Sequence, residues 1–105
     1  MKKILGKGKF LQLVVEDTWE YVERVKGAAV AVIFPLDGEH VILIEQFRAA
    51  LNKKIIEMPA GLVGDISADE DILTAAHREL LEETGYEAAR MVKVSEGPPS
   101  SGITS

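Results

Sequence analysis

The chain predicts an α/β fold in which strands come first and one long helix follows. Two observations carry this. The first half holds a series of short apolar stretches rich in β-branched residues, divided by turn residues. A single amphipathic stretch then runs over residues 67–84 with helical spacing.

Each element follows from local chemistry. Residues 10–15 and 19–25 read as two strands of an N-terminal hairpin or meander, with Glu16, Asp17 and Thr18 as the turn. Residues 28–34 form a near-continuous apolar run, the pattern of a strand buried on both faces. Asp37-Gly38 centres a turn over residues 35–40, and residues 41–46 return as a second buried strand. Residues 53–58 make a short strand leading into Pro59-Ala60-Gly61. The helix over 67–84 places Ile72, Leu73, Ala75, Ala76 and Leu80 on its apolar side. Ser67 and Glu70 have the spacing of a capping box, and Gly85 is placed to end the helix. Residues 86–94 suit a further strand, and the Gly-, Pro- and Ser-rich residues 97–105 suit a loop.

Composition narrows the function classes. At 105 residues the chain is read as one domain, 1–105, able to bury roughly two-thirds of its unfolded surface. Apolar content of 47% and charged content of 28% suit a soluble globular protein. A net charge of -5 argues against binding a nucleic-acid backbone. With no cysteine there is neither a disulfide framework nor a thiolate metal site. The opening residues are basic but lack a long apolar core, so neither a signal peptide nor a membrane span is expected, and the cytoplasm is the default location.

The helix carries acids where a helix least favours them. Glu79, Glu82 and Glu83 share one face at i, i+3 and i+4. Like charges at that spacing destabilise a helix by roughly 0.2–0.5 kcal/mol per pair. Glu82 and Glu83 also lie in the last turn, where the dipole favours cations. A divalent cation of the Mg²⁺ or Mn²⁺ kind would reconcile these carboxylates. The plainer reading is a solvated acidic face relieved by Arg78 pairing with Glu82.

The complete spacing goes further. Gly64, Glu70, Arg78, Glu79, Leu80, Glu82, Glu83 and Gly85 match the pattern G-x5-E-x7-R-E-U-x-E-E-x-G-U, where U is aliphatic, and only Tyr86 departs from it. This resembles the Nudix box. The upstream segments EQFR (45–48) and EMPAGL (57–62) resemble the ADP-ribose pyrophosphatase branch. The resemblance implies a Nudix-type α/β/α sandwich with a mixed sheet. Relatives carry more strand and a further helix after the position of residue 105, so the family's C-terminal strands and helix are expected to be lacking here.

The resemblance also implies roles. Glu79 and Glu83 would bind metal directly, and Glu82 would bind metal or orient the attacking water. A loop carbonyl, of Ala60 or of Val63, would complete the coordination. Arg78 would brace Glu70 or the neighbouring acids by bidentate bonds. Gly61 and Gly64 would let backbone approach metal and phosphate. Arg48 resembles an arginine that meets substrate phosphate or ribose, with a surface ion pair as the alternative. Glu57 resembles a ribose-contacting acid, with a simple strand-end charge as the alternative. Trp19 offers a stacking surface for an adenine ring, or is simply packed. The implied activity is metal-dependent hydrolysis of a nucleoside diphosphate linked to another moiety, most of all ADP-ribose or a nucleotide sugar. The alternatives are a nucleoside triphosphate pyrophosphatase and a nucleotide-sensing domain without turnover. A homodimer is implied, with the N-terminal strands (1–26) as the dimerisation element and no nucleic-acid or membrane partner.

Overall fold

A computed structural model describes residues 1–26, 29–64 and 70–104. It divides into two compact units.

The first unit contains a three-stranded antiparallel meander. Its strands are β1 (Lys2–Lys7), β2 (Leu11–Glu16) and β3 (Trp19–Arg24). Asp17 turns the chain between β2 and β3 at φ 56, a left-handed conformation that Asp tolerates better than most residues. Both expected strands are present within a residue or so of their expected limits. The sequence reading missed β1. All six of its residues are exposed, and it pairs only on its β2 side, so burial leaves no alternation to read. Its lysines suit an exposed sheet edge. Val14, fully buried, anchors the centre of β2. The loop over residues 97–104 lies along β3: Val22 N–H donates to the Ile103 carbonyl at 2.7 Å.

The second unit, Ala29–Lys93, holds three two-stranded antiparallel ladders and the helix. Strand β4 (Val30–Val32) pairs with β9 (Ala60–Leu62). Strands β5 (Leu36–Asp37) and β6 (His40–Val41) close over Gly38, whose φ is 62. Strands β7 (Ile44–Arg48) and β8 (Lys53–Glu57) form the third hairpin. Every ladder between named strands is antiparallel; the one parallel element among the described residues is an isolated Val22–Thr104 bridge.

Helix α1 (Ile72–Thr84) starts later than expected. Asp71 is its N-cap, accepting from the backbone of Leu73 at 3.0 Å and of Thr74 at 3.1 Å. The expected Ser67–Glu70 capping box is therefore replaced: Glu70 precedes the cap and its carboxylate is engaged elsewhere, while Ser67 lies outside the described residues. Gly85 ends the helix in the left-handed conformation, donating to the Leu81 carbonyl at 2.9 Å.

The helix buries Ala75, Ala76, Glu79 and Leu80, whereas Ile72 and Leu73 are only partly covered, at 37% and 40% exposed. Ala76 and Leu80 pack on Ala31 and Ile33, with Val63, Ala88 and Met91 around them. The core thus uses the odd-numbered face of β4. Val30, Val32 and Phe34 on the other face are exposed, so this strand is buried on one face rather than two. Residues 86–94 form no strand. Ala88 and Met91 pack against the core cluster instead, so the apolar residues of that segment serve packing without a ladder. Among the described residues no helix is long and apolar enough to cross a membrane.

Candidate active site

The side chains of interest gather where α1 crosses β9. Glu79 projects from the buried stripe of the helix toward Gly61 of β9. A Cβ built on Gly61 would overlap the Glu79 carboxylate, so this position needs glycine for space. Glu79 is only 7% exposed, yet it carries a charge into an otherwise apolar stripe. A buried carboxylate requires a partner. Arg78 supplies it, its Nη1 donating to Glu79 Oε1 at 2.8 Å.

Arg78 is the hub. Its Nε donates to Glu70 Oε2 and its Nη2 to Glu70 Oε1, both at 2.8 Å, a bidentate fork. Nη2 also donates to the Leu62 carbonyl at 3.2 Å, and Nη1 reaches Glu82 Oε2 at 3.5 Å. Glu70 Oε1 in turn accepts from Gly64 N–H at 3.1 Å. One guanidinium therefore ties the helix, strand β9 and the Gly64 backbone together. The Arg78 bond holds the Glu70 carboxyl below the ordinary glutamate range, against the opposing effect of burial, with the Gly64 amide helping. The same bond to Glu70 pushes Arg78 further up, so it stays charged.

The ladder fixes which carbonyls face this network. Ile33 N–H donates to the Pro59 carbonyl and Val63 N–H to the Ala29 carbonyl. Odd-numbered backbone groups of the β9 segment thus face β4, and even-numbered ones face the opposite edge. The Leu62 carbonyl lies on that edge and is taken by Arg78. The Ala60 carbonyl lies on the same edge, two residues earlier.

Glu82 and Glu83 are exposed at the end of α1, whose last turn has no basic residue. Among the described residues no three His, Cys, Asp or Glu side chains are gathered closely enough to hold a metal ion. The acids share a helix face without forming a ready cage. Two exposed, mutually repelling carboxylates have no reason to converge without a cation between them. Their chemistry nonetheless fits one: every donor is a hard oxygen, and Gly61 leaves the buried carboxylate against bare backbone.

Arg48 and Glu57 lie elsewhere. Arg48 Nε donates to Glu57 Oε1 at 2.9 Å, and Gln46 Nε2 donates to the same oxygen at 2.8 Å. These bonds, that from Arg48 foremost, lower the Glu57 carboxyl below its ordinary range. The pair lines an open cleft of about 450 Å³ with Val32, Leu43, Ile56 and Met58. Val32 and Ala60 pair across the ladder and share this face, while Ala31 and Gly61 share the face under α1. The structure thus brings Glu79, Arg78, Glu70, Gly61 and Gly64 together and places Arg48 and Glu57 on the other side of the β4–β9 ladder. Trp19 belongs to the first unit, where the residue is 61% exposed. Sequence reasoning missed the Leu62 carbonyl as a tie for Arg78 and Gln46 as a partner of Glu57. Backbone acceptors carry no sequence signal, but Gln46 stands two residues before Arg48, on one strand face.

The NUDIX domain model matches residues 25–102. An ADP-ribose pyrophosphatase of Bacillus subtilis is 35% identical over 105 residues, covering 90% of this chain and 53% of that protein. An uncharacterised Nudix hydrolase of Schizosaccharomyces pombe is 46% identical over 76 residues, 65% of this chain and 36% of its own length. An ADP-sugar pyrophosphatase of Mus musculus is 40% identical over 78 residues, 66% of this chain and 34% of its own. The chain spans about a third to a half of the length of these relatives.

Proposed function

Because this chain belongs to the Nudix family, we propose that it hydrolyses the pyrophosphate bond of a nucleoside diphosphate joined to another moiety, ADP-ribose or a nucleotide sugar foremost. The observation that carries the reading is the buried Glu79 carboxylate, fixed by Arg78 against a glycine that leaves it room. The relatives named for ADP-ribose and ADP-sugar cleavage support the substrate class.

Glu79, Glu83 and Glu82 would hold a divalent cation, Mg²⁺ or Mn²⁺, with a backbone carbonyl. The ladder favours Ala60 over Val63 for that carbonyl, since it lies on the Arg78 edge while Val63 faces β4. Such a cation, when bound, neutralises phosphate charge and lowers the pKa of bound water. The chain's own residues do the rest. Arg78 fixes the Glu79 carboxylate and the backbone near Gly64 at once, so the helix acids keep their place relative to β9. Glu82, exposed and only loosely held by Arg78, is free to turn toward an attacking water and hold its proton. The Arg48 guanidinium suits an anionic or ribose group of the substrate. The exposed Trp19 ring offers a stacking face. Homodimerisation through the N-terminal strands belongs to the same proposal, since Leu11 and Leu13 of β2 remain exposed. A monomer mass by light scattering at micromolar concentration would exclude it.

The test is a panel of ADP-ribose, ADP-sugars and nucleoside triphosphates with Mg²⁺ or Mn²⁺. ADP-ribose should be cleaved faster than dGTP, and Arg48→Ala should raise KM. Equal or better triphosphate turnover would overturn the substrate class.

A further inference from the structure

We propose that residues 100–104 form a latch that sets the orientation of Trp19 and restricts its ring to stacking. Four hydrogen bonds within the first unit make the case. Trp19 Nε1 donates to the Gly102 carbonyl at 2.7 Å. The next carbonyl, of Ile103, accepts from Val22 N–H, also at 2.7 Å. The segment is itself folded into a turn, with the amides of Ile103 and Thr104 both donating to the Ser100 carbonyl at 3.0 and 2.9 Å. Two successive carbonyls of one turn thus grip one side chain and one backbone amide of the same strand.

The grip has a geometric consequence. Val22 N–H points to the free edge of β3, away from β2, so the latch takes the place of a neighbouring strand there. The indole N–H is already used and cannot serve a ligand while the latch is docked. The residue as a whole is still 61% exposed. Beside it lies an open pocket of about 370 Å³ with Tyr21, Pro98, Ser101 and Thr104 in its walls. A docked latch therefore leaves Trp19 a stacking surface without a donor, and an undocked latch frees both the N–H and the edge of β3. Because both carbonyls sit on one short turn, releasing either contact loosens the other.

The chain has a single tryptophan, which makes the test direct. Val22 amide hydrogen exchange reports the latch, and Trp19 emission and acrylamide quenching report the ring. The full chain is measured as wild type, Trp19→Phe and Ile103→Pro. Trp19→Phe removes the donor and should speed Val22 exchange about two- to tenfold, the effect of one neutral hydrogen bond. Ile103→Pro removes the Ile103–Ser100 bond and should red-shift Trp19 emission and raise its quenching. Exchange at Val14, central in the same sheet, should stay unchanged in both, which separates undocking from unfolding. Unchanged Val22 exchange in Trp19→Phe, or unchanged Trp19 emission in Ile103→Pro, would overturn the coupling. Parallel acceleration at Val14 in Trp19→Phe would overturn it too, by showing a loss of the whole sheet.

Discussion

Replacing Gly61 with alanine separates two opposed effects at one position. Glycine inside a strand is less favourable than alanine by roughly 0.5–1 kcal/mol, so the substitution alone should stabilise β9. Against this, the new Cβ would occupy the space of the Glu79 carboxylate. The overlapped atoms are the far end of a side chain, so Glu79 rotates away and β9 need not move. Rotation gives up the bond from Arg78 and expels a carboxylate from a site where it is 7% exposed. Contacting residues couple by about 0.5–3 kcal/mol, and this overlap belongs in the upper half of that range. Gly61→Ala should therefore destabilise the protein by about 1–2 kcal/mol, the coupling less the strand gain. In a Glu79→Ala background the same change should stabilise it by roughly 0.5–1 kcal/mol. Thermal melts of the four proteins in metal-free buffer measure this, at roughly 4–8 °C per kcal/mol for a domain of this size. If Gly61→Ala shifts both backgrounds by the same amount and in the same direction, the glycine does not serve Glu79 and the site is misread.

Three further outcomes follow from the site and the helix that carries it. Glu83→Gln should abolish metal-dependent turnover while leaving the metal-free melting temperature unchanged or slightly higher, since it removes a repelled charge; a sharp fall in metal-free melting would make the acid structural. Glu70 is held below the ordinary glutamate value of 4.5 by Arg78, so its contribution to stability is present above that value and is lost as pH falls through the folded value. Melts of Glu70→Gln between neutral and strongly acidic pH should accordingly show a shallower acid-side decline than wild type, and parallel curves would remove Glu70 from that role. Gly85→Ala places a Cβ at φ 78 and should cost about 1–2 kcal/mol, read as a lower melting temperature; no change would mean the helix ends elsewhere.

How much of this was legible depended on what kind of signal each residue leaves. Gly64, Glu70, Arg78 and Glu79 form a pattern because the groups they join lie on one helix and the chain just before it. The meander of β2 and β3 was legible because the Asp17 turn and the apolar residues flanking it are local. Strand β1 was not, because it is exposed along its whole length. The apolar run ahead of Pro35 misled: its composition suggested two buried faces, but α1 covers only the side of Ala31 and Ile33. The capping box failed for a different reason. Glu70 fits two local roles, and the bidentate bond to a charged guanidinium prevails over a cap that Asp71 supplies next door. Arg48 and Glu57 were singled out separately, and their mutual bond depends on the β7–β8 register, which no short motif encodes.

The shortness of the β4–β9 ladder sets a rule for insertions and deletions. It has three residue pairs, and its parity decides which side chain meets Glu79. A slip of one position would present Ala60 or Leu62 where only Gly61 leaves room, and would turn the Arg78-bound carbonyl edge inward. Residues added or lost anywhere from Pro59 to Gly64 would therefore disturb the site, since the Val63 amide is bound to Ala29 and the Gly64 amide to Glu70. Grafts or exchanges made in this chain should leave residues 59–64 intact, so that the strand keeps its phase and the Gly64 amide keeps Glu70.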